Sequence, residues 1–93
     1  MALVTLQVYH WNGAAGERSR VLVETRRIDT GSDKPLTARR AGQIVAREYP
    51  AYARVGRSGV IRTEDGWVAM RSLSPTAKCD YHYTWEEVVV REG

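Results

Sequence analysis

The segment Thr37–Pro50, TARRAGQIVAREYP, carries the clearest helical pattern in the sequence and decides the fold class. Its apolar residues recur at the spacing of one helix face, and three arginines fall on the opposite side: Arg39, Arg40 and Arg47. Thr37 is a typical N-cap, and Pro50 ends the segment because the residue before a proline is pushed out of the helical region. The pattern predicts a helix over about Ala38–Tyr49 that packs through small residues and exposes arginines.

Two strand patterns precede this helix. Leu3–Trp11 alternates between two sets of side chains, which is the period of a strand, and Asn12–Gly16 predicts a turn because Asn and Gly accept positive φ values. A second strand is expected over Arg18–Ile28, so that the two form an antiparallel hairpin with one solvated face. Strict alternation puts two sets on opposite faces of this second strand: Val21, Val23 and Thr25 on one, and Arg18, Arg20, Glu24 and Arg26 on the other.

The segment after the helix contains a hairpin signal. Ala51–Val55 is expected to be a short extended stretch, and Gly59–Thr63 and Trp67–Leu73 flank the turn sequence Glu64–Gly66. A two-residue turn of Asp65 and Gly66 would pair Trp67 with Glu64 and expose it. A three-residue turn would pair Trp67 with Thr63, on the side of the core.

The last strand pattern covers Tyr81–Arg91, where aromatic residues and the run Val88–Val90 favour a strand whose later part is buried on both faces. The order of elements is therefore strand, strand, helix and three further strands. We expect an α+β fold in which a single helix packs on a mostly antiparallel sheet of about five strands. No linker or repeat divides the chain, so residues 1–93 are expected to form one domain.

Composition narrows the class of protein. The 93 residues are 43% hydrophobic and 27% charged, as in ordinary soluble globular domains. No apolar run approaches the roughly 20 residues that a membrane span needs. The single cysteine and the absence of a leader pattern at the start of the sequence favour a cytoplasmic protein. The net charge of +3 is weak for a nucleic-acid-binding protein.

The stretch Cys79–Glu87, CDYHYTWEE, is the richest in reactive side chains. A structural zinc site needs four ligands, and a cysteine nucleophile needs a base within hydrogen-bond reach. An extended strand would send Cys79 and His82 to opposite faces. We therefore predict no catalytic site, no metal and no cofactor. The aromatics Tyr81, Tyr83 and Trp85 share one face, where they either pack in the core or stack on a partner.

Two candidate binding surfaces follow from the pattern. The first is a partner-binding group on the predicted hairpin, with an aromatic anchor beside charged residues: Trp67, Arg62, Arg71 and Glu64. The second is an arginine-rich surface for nucleic acid or an acidic partner: Arg39, Arg40, Arg47 and Arg20. An exposed sheet edge would also allow a homodimer.

In outline the chain resembles the small stand-alone proteins of bacteriophages and mobile elements, among them the anti-CRISPR proteins. The shared features are a length under a hundred residues, the hairpin–helix–sheet order, a helix ending Arg47-Glu48-Tyr49-Pro50, and aromatic strands. The resemblance implies stoichiometric binding that covers a partner's nucleic-acid or subunit surface. We expect a non-enzymatic protein that binds a protein or nucleoprotein complex, such as a host defence complex. The alternative is an accessory protein that binds nucleic acid through its arginines.

Overall fold

The computed structural model describes residues 3–14, 17–52, 59–72 and 82–93. One five-stranded antiparallel sheet has the strand order β2-β1-β5-β4-β3, and one α-helix packs against it, as predicted. The elements follow the chain as β1 Leu3–Ala14, β2 Glu17–Asp29, α1 Ala38–Glu48, a 3-10 turn Pro50–Tyr52, β3 Val60–Thr63, β4 Gly66–Ser72 and β5 His82–Glu92. No helix in the described part of the chain is long and apolar enough to cross a membrane.

The sheet has a helix face, which packs against α1, and an open face on its other side. The predicted alternation of β1 holds, because Val4, Leu6 and Val8 all point into the core beneath the helix. They meet residues of β5 and α1 that are also buried: Val88, Val90, Ala41, Ile44 and Val45. Val89 points to the open face and is buried too, so the valine run is buried on both faces, as expected.

Helix α1 begins where the sequence predicts. The Thr37 side-chain oxygen accepts a hydrogen bond from the Arg40 backbone N–H at 3.3 Å, which satisfies one free donor of the first turn. The helix ends at Glu48, one residue before the predicted end, because Tyr49 leaves the helical conformation ahead of Pro50. Ala51 and Tyr52 belong to the 3-10 turn, so the extended segment predicted there is wrong for these two residues.

The first hairpin is longer than predicted. Asn12 pairs with Ser19, and the two strands continue to Ala14 and from Glu17. The predicted turn is therefore wrong for Asn12–Ala14. The ladder continues there because pairing satisfies backbone hydrogen-bonding groups that a looser turn would leave to water.

A β-bulge changes the faces of β2. Val8 pairs with Glu24 and Tyr9 with Leu22, so Val23 is an extra residue without a partner in the register. Strict alternation is broken at this point, and the predicted faces of β2 are wrong. Arg20 lies on the open face, whereas Glu24 and Arg26 lie on the helix face, where Arg26 bonds Glu48 at 2.9 Å.

The second hairpin has a register that neither sequence alternative contained. Thr63 pairs with Gly66 and Arg62 with Trp67, so Glu64 and Asp65 form the two-residue loop. The Thr63 hydroxyl accepts a hydrogen bond from the Asp65 backbone N–H at 3.1 Å, which closes the turn early. Gly66 therefore begins β4 instead of completing the turn.

Several sequence predictions fall outside the described residues. They concern residues 53–58 and 73–81 in particular, so the predictions for Cys79 and Tyr81 stay predictions. His82 and Tyr83 lie in β5, which begins at His82.

Candidate interaction surfaces

Trp67 lies on the helix face of β4 and packs against the core. The guanidinium carbon of Arg62 lies 5.2 Å from the centroid of the Trp67 ring, on the neighbouring edge strand. The indole N–H is buried and has no hydrogen-bond partner among the described residues. Trp67 thus presents its ring to the core and to Arg62. Together with Glu64, these two residues line one side of a surface cleft whose other side includes Arg91 and Glu92.

Arg71 belongs to a different group from the cleft residues. Its Nε lies 3.1 Å from Glu86, and the Glu86 carboxylate also lies 3.2 Å from His10. The Tyr52 hydroxyl donates to the Glu86 carbonyl oxygen at 3.3 Å. Burial raises the pKa of the Tyr52 hydroxyl above its ordinary value. Arg71 therefore holds a half-buried ion pair under the 3-10 turn, whereas the other three predicted residues meet at the cleft.

The four predicted arginines do not form one surface. Arg39 and Arg47 are exposed on α1, and Arg47 bonds Glu48 at 3.3 Å. Arg40 donates to the Lys34 carbonyl at 2.5 Å and so holds the loop that precedes the helix. Arg20 lies on the open face of the sheet, on the side away from α1.

An aromatic cluster occupies the open face. The rings of Trp11 and Trp85 stack at 5.4 Å between centroids with 6° between their planes, and the Trp11 indole N–H donates to Glu87 at 2.9 Å. The guanidinium of Arg20 lies 4.1 Å from the Tyr9 ring centroid. Trp85 thus lies on the side away from the helix, where it packs on Trp11. The faces of these rings thus contact one another or the Arg20 guanidinium.

The sheet is strongly coiled. Arg20 on β2 lies 3.5 Å from Asp65 in the β3–β4 loop, although β1 and β5 separate their strands. The register places Arg20 level with Ser72, at the end of β4 opposite that loop, so a flat sheet would keep the two side chains apart. Coiling brings the loop over the open face. It helps to bury Val68, Val89 and Glu87, which lie on the side away from the helix. Part of the open face is therefore a small second core.

Among the described residues, the largest apolar exposure is on β2. Val21 is 61% exposed, Leu22 48% and Val23 53%, in three consecutive positions. In the described chain β2 pairs only with β1, so it is an edge strand of the sheet. We call these three residues, with the outer backbone of β2, the β2 edge. Ile61 and Met70 are similarly exposed near the opposite edge.

Sequence reasoning missed the β2 edge because it assigned Val21 and Val23 to the less polar face. One signal was present in the sequence. Three consecutive large apolar residues cannot all face one side of a regular strand, so the run Val21–Val23 must place at least one of them on the solvated side. The bulge then adds an extra residue, and the edge position leaves all three exposed.

The described residues hold no group of three or more His, Cys, Asp and Glu side chains that could bind a metal ion. The candidate surfaces described above are the apolar β2 edge, the aromatic cluster on the open face and the arginines of α1. Comparisons of the chain with models of protein families, with curated proteins and with solved structures find no match.

Proposed function

We propose that this chain is a non-enzymatic protein that binds a protein partner, or a protein subunit of a nucleoprotein complex, stoichiometrically through the β2 edge. The observation that supports the proposal is the exposure of Val21, Leu22 and Val23 in consecutive positions of an edge strand. Exposed apolar side chains grouped along an unpaired sheet edge indicate an interaction surface, whereas single ones are ordinary.

Covering the β2 edge would contribute a moderate binding free energy. Full burial of a Val or Leu side chain contributes about 1.5–3 kcal/mol, so covering the remaining half of each would contribute roughly 1 kcal/mol per residue. The three residues together would contribute roughly 3 kcal/mol, so other contacts of the partner must supply the rest of the binding free energy.

The proposal can be tested by photo-crosslinking. A photoreactive phenylalanine analogue is placed at Leu22 and, as a matched control, at Gln43 on the exposed side of α1. We expect position 22 to capture one defined protein in the cell that produces the chain, and position 43 not to capture it. Equal capture from both positions, or capture from position 43 alone, would contradict the proposal.

Stoichiometric action needs a second measurement. The captured protein is purified and titrated with this chain, and the inhibited or bound fraction is measured. We expect the effect to saturate near equimolar amounts. Complete modification of the partner by a small fraction of an equivalent would show turnover, and the enzyme interpretation would replace the binding one.

The outline resemblance to phage-encoded inhibitors supports testing host defence complexes first. A complex that the chain inhibits should recover its activity when Leu22→Lys replaces the natural chain. Inhibition that this substitution leaves unchanged would rule out the β2 edge as the inhibitory surface.

Nucleic-acid binding is the second candidate, and it is favoured by the exposure of Arg39 and Arg47 on α1. This function predicts binding to a fluorescent oligonucleotide that falls steeply with salt and weakens in an Arg39→Ala/Arg47→Ala variant. Binding that is absent at low salt would eliminate this candidate.

A further inference from the structure

Strand β2 is a long open edge of the sheet. It has 13 residues, about twice the commonest length of a strand, and in the described chain all its Cα partners lie on β1. Alternate residues of such a strand direct their backbone N–H and C=O groups away from the sheet. An uncovered edge of this kind is a template for pairing with another chain, which proteins block with charges, with proline or with bulges.

The charges of β2 leave one run unprotected. The strand has no proline, and residues 21–23 are its only stretch of more than one uncharged residue. Val21 pairs with His10 on the helix face and Leu22 with Tyr9 on the open face, so exposed apolar side chains line the edge on both faces. Charge therefore protects β2 on either side of this run but not within it.

The β-bulge lies inside the same run. Leu22 pairs with Tyr9 and Glu24 with Val8, so Val23 is the residue without a partner in the register. A bulge disrupts the ladder locally and increases the twist of its strand. The outward backbone groups before and after Val23 therefore do not continue one regular alternation, and a regular strand can pair with β2 on only one side of the bulge.

On either side of the bulge, a second copy of the chain fits poorly. In a symmetric antiparallel pair, one residue of the strand lies opposite its own copy. For a ladder of more than three residues before the bulge, Arg20 lies opposite itself or opposite Arg18. For such a ladder after the bulge, Arg26 or Arg27 lies opposite itself. Like charges directly opposite are destabilising, so the bulge and the arginines together oppose symmetric pairing.

Without Val23, β2 would be a regular strand. The residues on either side of Val23 already pair with neighbouring residues of β1, so every other pairing would be kept. A symmetric ladder centred on Val21 would then extend across the former bulge, from Glu17 to Arg26. In this ladder no arginine lies opposite an arginine and no glutamate opposite a glutamate. The extra residue is thus what separates β2 from a continuous edge that pairs with itself.

We infer that the Val23 bulge is an edge-blocking device, which keeps β2 from pairing with a second copy of the chain while its apolar side chains stay exposed. The inference goes beyond the proposed function. It concerns the chain alone, so it holds or fails independently of the partner proposed above.

Deletion of Val23 tests the inference. Light scattering after size exclusion measures the mass at protein concentrations up to about 1 mM. We expect the natural chain to stay at its monomer mass of 10.5 kDa, and the deletion variant to dimerise with a Kd at least about tenfold below that of the natural chain. The deletion removes an exposed apolar residue, so stronger association would not come from added apolar surface.

Two further variants identify the cause of any association. Val23→Thr keeps the extra residue, so it should stay monomeric like the natural chain. Leu22→Lys, made in the deletion variant, places a charge at the centre of the restored edge and should return the protein to the monomer. If the deletion variant associates but Leu22→Lys does not reverse this, another surface is responsible and the inference is overturned.

Near-ultraviolet circular dichroism, which detects the stacked rings of Trp11 and Trp85, checks that each variant is folded. If the variant without Val23 does not fold, deletion of Leu22 gives the same regular ladder with Val23 opposite Tyr9. Failure of both deletions to fold would show that the sheet needs the bulge to form, and the edge-blocking role would be wrong. A folded deletion variant as monomeric as the natural chain would overturn the inference, as would a natural chain whose dimer Leu22→Lys dissociates.

Discussion

Gly66 determines the register of the second hairpin at the level of a single residue. Its φ is +134°, and a Cβ at this position would lie 2.5 Å from the Val90 carbonyl oxygen and 2.9 Å from Arg91 Cγ. The carbonyl belongs to the backbone of the central strand β5, so it cannot move aside easily. The position of Trp67 opposite Arg62 therefore depends on a residue without a side chain.

Gly66→Ala should lower the free energy of unfolding by more than about 2 kcal/mol, because it combines a strained φ with overlap against β5. Urea denaturation measures the loss. Gly31→Ala is the control, since Gly31 also has a positive φ of 68° but a Cβ added there would meet no described atom within 4 Å. The control should lose only the roughly 1–2 kcal/mol of backbone strain. Equal losses in the two variants would contradict the close approach to Val90.

Glu86 gives the protein a pH-dependent contribution to stability. Burial acts to raise the pKa of its carboxyl, but the hydrogen bonds with Arg71 and His10 and the nearby Tyr52 hydroxyl outweigh burial and lower the pKa below its ordinary value. A carboxyl whose pKa is lower in the folded state stabilises the protein above its unfolded pKa. This contribution is lost as the pH falls through the folded pKa.

Glu86→Gln should lower the free energy of unfolding near neutral pH by about 1–3 kcal/mol, because the carboxylate is only 14% exposed and receives several hydrogen bonds. The variant should also lose less stability than the natural chain between neutral pH and pH values below 4.5. Denaturation across this range measures both effects. Parallel stability curves for the two proteins would show that Glu86 is not the titrating group.

Trp67 and Leu22 should differ in how much they contribute to the free energy of unfolding. Trp67→Ala is expected to lower the free energy of unfolding by roughly 2–3 kcal/mol, since the ring packs on the core but is not fully buried. Leu22→Ala should lower it by only about 1 kcal/mol, because nearly half of the residue is exposed. Urea denaturation checks both, and a Leu22→Ala loss as large as that of Trp67→Ala would place Leu22 in the core.

At the scale of elements, the helix was predictable and β2 was not. The limits of α1 depend on local signals, with Thr37 at its start and Pro50 just beyond its end. The faces of β2 depend on the bulge at Val23, which exists only because β2 pairs with β1 in one particular register. No residue of β2 alone indicates that register, so alternation assigned Arg20 and Arg26 to the same face.

Thr37→Ala should lower the free energy of unfolding by about 1 kcal/mol, the usual effect of losing an N-cap side chain. Thr37→Ser keeps the hydroxyl and should restore most of the loss. Thermal or urea denaturation compares the three proteins. If Thr37→Ser is as destabilised as Thr37→Ala, the hydrogen bond to the Arg40 N–H does not contribute to stability.

At the scale of the whole molecule, the order of strands and helix was enough to predict the α+β class, but not the surfaces. The contact between Arg20 and Asp65 crosses three strand spacings and arises from the coiling of the sheet. The sequence contains no signal for coiling of this extent. The sequence pattern therefore groups Arg20 with the arginines of α1, although the sheet separates them. It also groups Arg71 with Trp67, although Arg71 instead forms an ion pair with Glu86.

The central claim is that the partner covers the β2 edge. Carbene footprinting of the free chain and of its complex with the crosslinked partner tests this claim across the whole surface in one measurement. We predict that labelling of Val21, Leu22 and Val23 falls sharply in the complex, while labelling of Gln43 and Arg47 on α1 stays unchanged. Protection of α1 with undiminished labelling of Val21–Val23 would contradict the claim.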